Sequence, residues 1–105
     1  GSPYAVGFFG YAYYVDEAER MKVLSVEGVE ASAETVDNGT YPLARPLFMY
    51  STVDIMRSKS QVAAFLAFAV NNATEAMRAV GYFKPSADAL QNARETWRSA
   101  MQGTY

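Results

Sequence analysis

The stretch Ser2–Met21, SPYAVGFFGYAYYVDEAERM, governs how the rest of the chain is read. Of the ten residues from Ala5 to Tyr14, eight are apolar or aromatic and the other two are glycines. Ala5–Phe9 reads as a short buried strand ended by Gly10. From Tyr11 the period lengthens. Tyr11, Tyr14, Val15 and Ala18 share a helical stripe, with Asp16, Glu17 and Glu19 on the other face. A strand-to-helix turn and a short helix to about Met21 are therefore expected. So apolar an opening needs packing on both sides, and the first question is where its neighbours lie.

Beyond it, Val23–Val26 reads as a second strand closed by Glu27-Gly28. Ser32 is placed to cap one helical turn through Val36, with Glu34 at its positive end. Asp37-Asn38-Gly39 is a turn signal. In YPLARPLFMYST, Tyr41–Thr52, two prolines four apart forbid a helix. Leu47–Thr52 then reads as a third strand, apolar enough for burial on both faces. The remainder is helical. Ser58 with Gln61 forms a capping box for a helix from Lys59 to about Val70, apolar almost all round and so expected to be buried. Asn72 with Glu75 repeats the signal for a second helix, which Gly81 ends. Tyr82–Pro85 is an extended connector, and Ser86 caps a last helix with Leu90, Ala93, Trp97 and Met101 on one stripe. Strands and helices in this order predict an α/β fold, a few strands flanked by helices. Three strands make a thin sheet, so its completion by other sequence or by a second copy is expected, and a homo-oligomer with it.

The 105 residues allow one domain, with 50% hydrophobic and 19% charged residues. A net charge of -2 and no run of three basic residues argue against a nucleic-acid surface. With no Cys and no His, thiol nucleophiles, His-based triads and Cys or His zinc sites are excluded. No catalytic residue, metal ligand or cofactor site is read, and an enzyme is not expected. The longest apolar run in the second half, Val62–Val70, is nine residues. About 20 are needed to span a bilayer.

The remaining candidates each have a plain structural explanation. Asp16, Glu17 and Glu19 suit a solvated helix face. The two Asn-x-Thr matches at Asn38 and Asn72 are accounted for by a turn and a helix cap. Phe8, Phe9, Tyr11, Tyr13 and Tyr14 alternate with small residues as a core segment does, and no basic residue interleaves with them for base stacking. Arg45, held between Pro42 and Pro46 on a stiff segment, is the one charge placed to meet a carboxylate or oxyanion. A structural salt bridge that anchors the segment is the simpler explanation and the one preferred.

Taken together, AVGFFGYAYY (Ala5–Tyr14), VEASAETVDNGTYPLARPLFMY (Val29–Tyr50) and GYFKPSADALQNARETW (Gly81–Trp97) resemble the C-terminal third of the phosphate-binding proteins of ABC-type phosphate uptake systems. The most specific part is Gly7-x-x-Gly10-Tyr11-x-Tyr13-Tyr14, followed 27 residues later by Tyr41-Pro42-Leu43-x-Arg45-Pro46-Leu47. The resemblance implies a partial three-layer lobe of a periplasmic-binding-protein-like fold, with residues 1–105 as a single C-terminal segment of a two-lobe receptor. The parent would be periplasmic or anchored at the outer membrane face, and would close on phosphate in its cleft and deliver it to an ABC permease. Gly7, Phe8, Phe9, Gly10 and Tyr11 would be hinge or packing residues. The family's hydroxyl, Asp and Ser-Gly ligand motifs do not occur here, so no phosphate ligand is carried over and Arg45 stands only as a cleft or hinge candidate. The fragment alone is expected to bind phosphate weakly or not at all. A receptor for another oxyanion, or an interaction module without ligand, are the alternatives.

Overall fold

The computed structural model describes residues 2–103. It holds six helices, and no β-strand among the described residues: α1 Tyr11–Asp16, α2 Ala33–Asp37, α3 Val53–Ser58, α4 Ser60–Asn71, α5 Ala73–Ala79 and α6 Ala87–Gln102. Local chemistry sets most of their ends. The Ser32 hydroxyl accepts from Thr35 N–H and Thr35 Oγ1 accepts from Ser32 N–H, a reciprocal box that starts α2. The Ser86 hydroxyl accepts from Ala89 N–H and starts α6. After α5, Tyr82 N–H donates to Met77 C=O at 2.9 Å and Gly81 N–H to Arg78 C=O at 3.3 Å. Gly81 sits at φ 75. This is a Schellman ending, and it needs the left-handed backbone that glycine adopts without strain.

Two helix starts differ from expectation. Thr52, expected to end a strand, accepts from Ile55 N–H through its hydroxyl and opens α3. Ser58 is then the last residue of α3. Its hydroxyl donates back to Asp54 C=O at 2.6 Å, so the box with Gln61 does not form. Asn72 does precede α5, but its amide donates to Phe68 C=O at 2.8 Å instead of capping.

The packed part of the molecule is α3, α4 and α6, with α5 against α4. Its centre is Met56 on α3, 6% exposed, and Ala63 on α4, 4% exposed. Trp97 of α6 donates its indole Nε1–H to Ala63 C=O at 2.9 Å, fixing the stripe predicted for the last helix. Arg57 Nε donates to Ala100 C=O at 3.1 Å and ties α3 to the end of α6. The helix α4 is not buried all round: Phe65 and Phe68 are exposed. No helix among the described residues is long and apolar enough to cross a membrane.

The α/β expectation is corrected for its strands. Ala5–Phe9, Val23–Val26 and Leu47–Thr52 do not form a sheet. The only pairing among the described residues is the bridge Val26↔Val29, closed by two bonds of 2.9 and 3.0 Å. It wraps a two-residue turn in which Glu27 at φ 53 and Gly28 at φ 78 both have positive φ, as the hairpin turn type requires. The reason for the missing sheet is physical. A strand exists only against a neighbour at about 4.8 Å that satisfies its backbone groups. The main chain of Val6–Phe9, Lys22–Ser25 and Pro46–Ser51 makes no backbone hydrogen bond among the described residues. The side chains are correspondingly bare, Phe8 at 97% and Tyr50 at 87% exposed. The chain exposes 8497 Å². A compact chain of its 11.5 kDa exposes about 5,800 Å². Its radius of gyration, 17.5 Å, also exceeds the roughly 13 Å of a compact domain of this length.

Candidate functional site

Two sequence-predicted regions, the Gly7–Tyr11 run and the segment bearing Arg45, meet at one open depression of about 1300 Å³. Helix α1 sets one side. Gly10 C=O accepts from Tyr13 N–H at 3.1 Å and turns the chain into the helix. Tyr11 then packs on Phe83, ring centroids 4.5 Å apart, and on Tyr14 at 5.6 Å. Helix α2 sets the other side. Tyr41 N–H donates to Thr35 C=O at 2.9 Å, and Thr40 Oγ1 bonds Asn38 Oδ1 at 2.6 Å, so the turn delivers Tyr41 and Leu43 to the wall.

The lining is mainly apolar: Phe8, Phe9, Tyr11, Tyr41, Leu43 and Phe83. The charged residues at it are Glu17, Arg20, Lys22 and Arg45. Arg20 pairs with Glu17 at 3.1 Å. Both are exposed, so the pair contributes at most about 1 kcal/mol. Arg45 is exposed, and its guanidinium turns back on its own segment, Nη1 donating to Ala44 C=O at 2.6 Å and Pro42 C=O at 3.2 Å. It acts there as a clamp on the Pro42–Pro46 loop.

A dehydrated oxyanion needs several donors converging in a place that excludes water. Among the described residues no polar or charged side chain is buried. No group of three or more carboxylates that could hold a metal occurs there either. The depression is thus a mainly apolar surface with four charged residues in its lining. Asp16 and Glu19 are exposed, as expected of a solvated face. Of the two Asn-x-Thr positions, Asn38 caps its turn through Thr40 N–H at 3.0 Å, and Asn72 bonds α4. Sequence reading missed Phe83, which lies 72 positions from Tyr11. Its signal, an aromatic in the extended connector, does not name its partner. It also missed a smaller depression of about 240 Å³, where Arg94 Nε donates to Asn71 Oδ1 at 3.2 Å beside Trp97 and Arg98.

Comparison with known proteins separates the readings. The chain is 37% identical over 105 residues, 94% of its length, to the protein SphX of Synechococcus elongatus. It is 30% identical over 106 residues, 96% of its length, to SphX of a Synechocystis strain. It is 27% identical over 82 residues, 73% of its length, to the phosphate-binding protein PstS of Staphylococcus epidermidis. SphX and the phosphate-binding protein PstS are thus homologues of this chain along most of its length. The matched region is 31%, 32% and 25% of those relatives, so the chain spans about a third or less of their length. No protein-family model matches, and no solved structure matches. The PstS relatives are named as binding proteins and not as enzymes. This chain presents an apolar wall and no oxyanion cradle of its own among the described residues.

Proposed function

We propose that the chain works as the C-terminal part of a substrate-binding protein that captures inorganic phosphate and hands it to an ABC permease. Its working place is the periplasm or the outer face of the membrane. The carrying observation is similarity to SphX and PstS along nearly the whole chain. Gly7–Tyr11 is read as a hinge-region run and Arg45 as a cleft or hinge residue, because both line one depression. Closure of the complete receptor would bury phosphate among donors from elsewhere in it. On this reading the isolated chain binds phosphate weakly or not at all. Titration calorimetry on the isolated chain checks this, and micromolar phosphate affinity would overturn it. Sulfate and molybdate in parallel titrations of a longer receptor test the anion selectivity.

A second reading is a stand-alone oligomerisation module without ligand. The bare apolar runs at Phe8-Phe9 and Leu47–Tyr50 favour it. It requires a stable homo-oligomer, and a monomeric mass by light scattering at high dilution would remove it.

A further inference from the structure

Four asparagines occur in the chain, and one of them, Asn38, is followed by glycine. That pair is open to a reaction that needs no enzyme: attack of the next backbone nitrogen on the side-chain amide. Glycine has no Cβ to crowd its nitrogen, so the step is least hindered there. A Cβ at Gly39 would meet nothing within 4 Å, and Asn38, Gly39 and Thr40 are all exposed. Solvent base and water therefore reach the pair.

The turn holds the pair in the wrong geometry for this attack. Asn38 ends α2 at φ -81 and ψ -1. At that ψ, Gly39 N lies away from the Asn38 side chain and donates instead to Val36 C=O at 3.3 Å. The side chain is held from the other direction, Oδ1 accepting from Thr40 N–H at 3.0 Å and from the Thr40 hydroxyl at 2.6 Å. Ring closure requires ψ to swing until Gly39 N faces Cγ, which breaks the Val36 bond and pulls Thr40 off Oδ1. What resists the swing is small. Helix α2 has five residues and packs against no other helix among the described residues. It rests on its Ser32 cap and on the bond from Tyr41 N–H to Thr35 C=O. Short, exposed pieces of this kind open before the rest of a molecule does.

We propose that Asn38 is a site of self-modification, gated by opening of the last turn of α2. When the turn opens, a base takes the Gly39 N–H proton, and the freed electron pair bonds the nitrogen to Asn38 Cγ. The Cγ–Nδ2 bond breaks, and that nitrogen takes up a proton and leaves as ammonia. The cyclic imide then adds water. Addition at Cγ leaves an aspartyl residue at position 38, and addition at the main-chain carbonyl leaves an isoaspartyl one, linked to Gly39 through its side chain. Either product carries a new negative charge, and the second adds a methylene to the main chain. Tyr41 N–H then no longer meets Thr35 C=O in register, so the turn that delivers Tyr41 and Leu43 to the depression does not close again. The reaction draws only on water and base, and it stands apart from any reading of the ligand.

The test is incubation of the chain at mildly alkaline pH, followed by peptide mapping with mass spectrometry and enzymatic labelling of isoaspartyl groups. Residue 38 should convert while Asn71, Asn72 and Asn92 stay intact. Conversion should be on the order of 10-fold faster in concentrated urea, where α2 is open throughout. Ser32→Ala removes the cap of α2 and should raise the rate in buffer about fivefold, with no change in urea. Thr40→Val removes one donor to Oδ1 and should raise the rate in buffer in the same direction. Ser86→Ala weakens α6 instead and should leave the rate unaltered. Equal rates in buffer and urea overturn the gate. Acceleration by Ser86→Ala as large as that by Ser32→Ala overturns it too, because opening would then belong to the whole molecule. Conversion confined to urea overturns modification of the folded chain, and an intact residue 38 in urea overturns the site itself.

Discussion

At the scale of single residues, Gly103 and Trp97 tie the helical part together, one through its backbone and one through a side-chain donor. Gly103 ends α6 at φ 79, and a Cβ there would lie 2.6 Å from the Arg57 guanidinium. Arg57 is flexible and can move aside, but only by loosening its bond to Ala100 C=O. Gly103→Ala should thus destabilise the helical part by about 1–2 kcal/mol, from left-handed strain plus the weakened bond. Gly7→Ala is the contrast. Nothing lies within 4 Å of where its new methyl group would sit, and Gly7 has no positive φ, so the change should stay within about 0.5 kcal/mol. Urea unfolding followed by circular dichroism measures both, and equal effects would contradict the account. Trp97→Phe keeps most of the apolar area and removes the donor to Ala63 C=O. A loss of about 1 kcal/mol in the same measurement is expected.

At the scale of elements, the hydroxyl caps can be ranked. Ser86→Ala removes the cap of the longest helix and should cost about 1 kcal/mol. Ser58→Ala, by contrast, removes only a back-bond within α3 and should cost a few tenths. A sequence reading alone ranks them alike, because both serines look like N-caps. The observed difference comes from Thr52, which starts α3 about a turn and a half earlier and makes Ser58 the last residue of that helix, not the cap of the next. Signals that act within four or five residues are legible: the Ser32 cap, the Asn38-Gly39 turn, the Gly81 ending and the Ser86 cap all stand where the residues place them, though the reciprocal bond from Thr35 to Ser32 was not read. The strands were not, because Ala5–Phe9 and Leu47–Thr52 carry the right composition but depend on neighbours that no local pattern specifies. The same limit holds at the candidate site. The stiffness of the Arg45 segment was readable from Pro42 and Pro46, whereas the turn of its guanidinium onto Pro42 and Ala44 was not.

At the scale of the whole molecule, the excess surface predicts solution behaviour. Principal extents of 54 × 25 × 20 Å describe an elongated particle. Small-angle scattering of the isolated chain in its monomeric state should give a radius near the observed 17.5 Å, clearly above the roughly 13 Å of a compact domain. A compact value would mean that residues 2–52 fold back onto the helices. A dye that fluoresces on apolar surface should bind the isolated chain strongly and lose part of its signal when Phe48 and Tyr50 are both changed to polar residues, since the two rings lie 5.9 Å apart and face solvent. Only a modest change in thermal unfolding should accompany that loss, because neither ring belongs to the Met56–Ala63 core.

The indole of Trp97 gives the chain an optical asymmetry. It is the sole tryptophan, and it is pinned inside the helical part by its bond to Ala63. Six of the eight tyrosines, Tyr4, Tyr11, Tyr13, Tyr14, Tyr41 and Tyr50, lie in the first 52 residues. Emission excited at the red edge, where only indole absorbs, therefore reports on one half of the polypeptide, and tyrosine emission largely on the other. Without any label, the two halves can be watched separately in a single cuvette as the molecule unfolds.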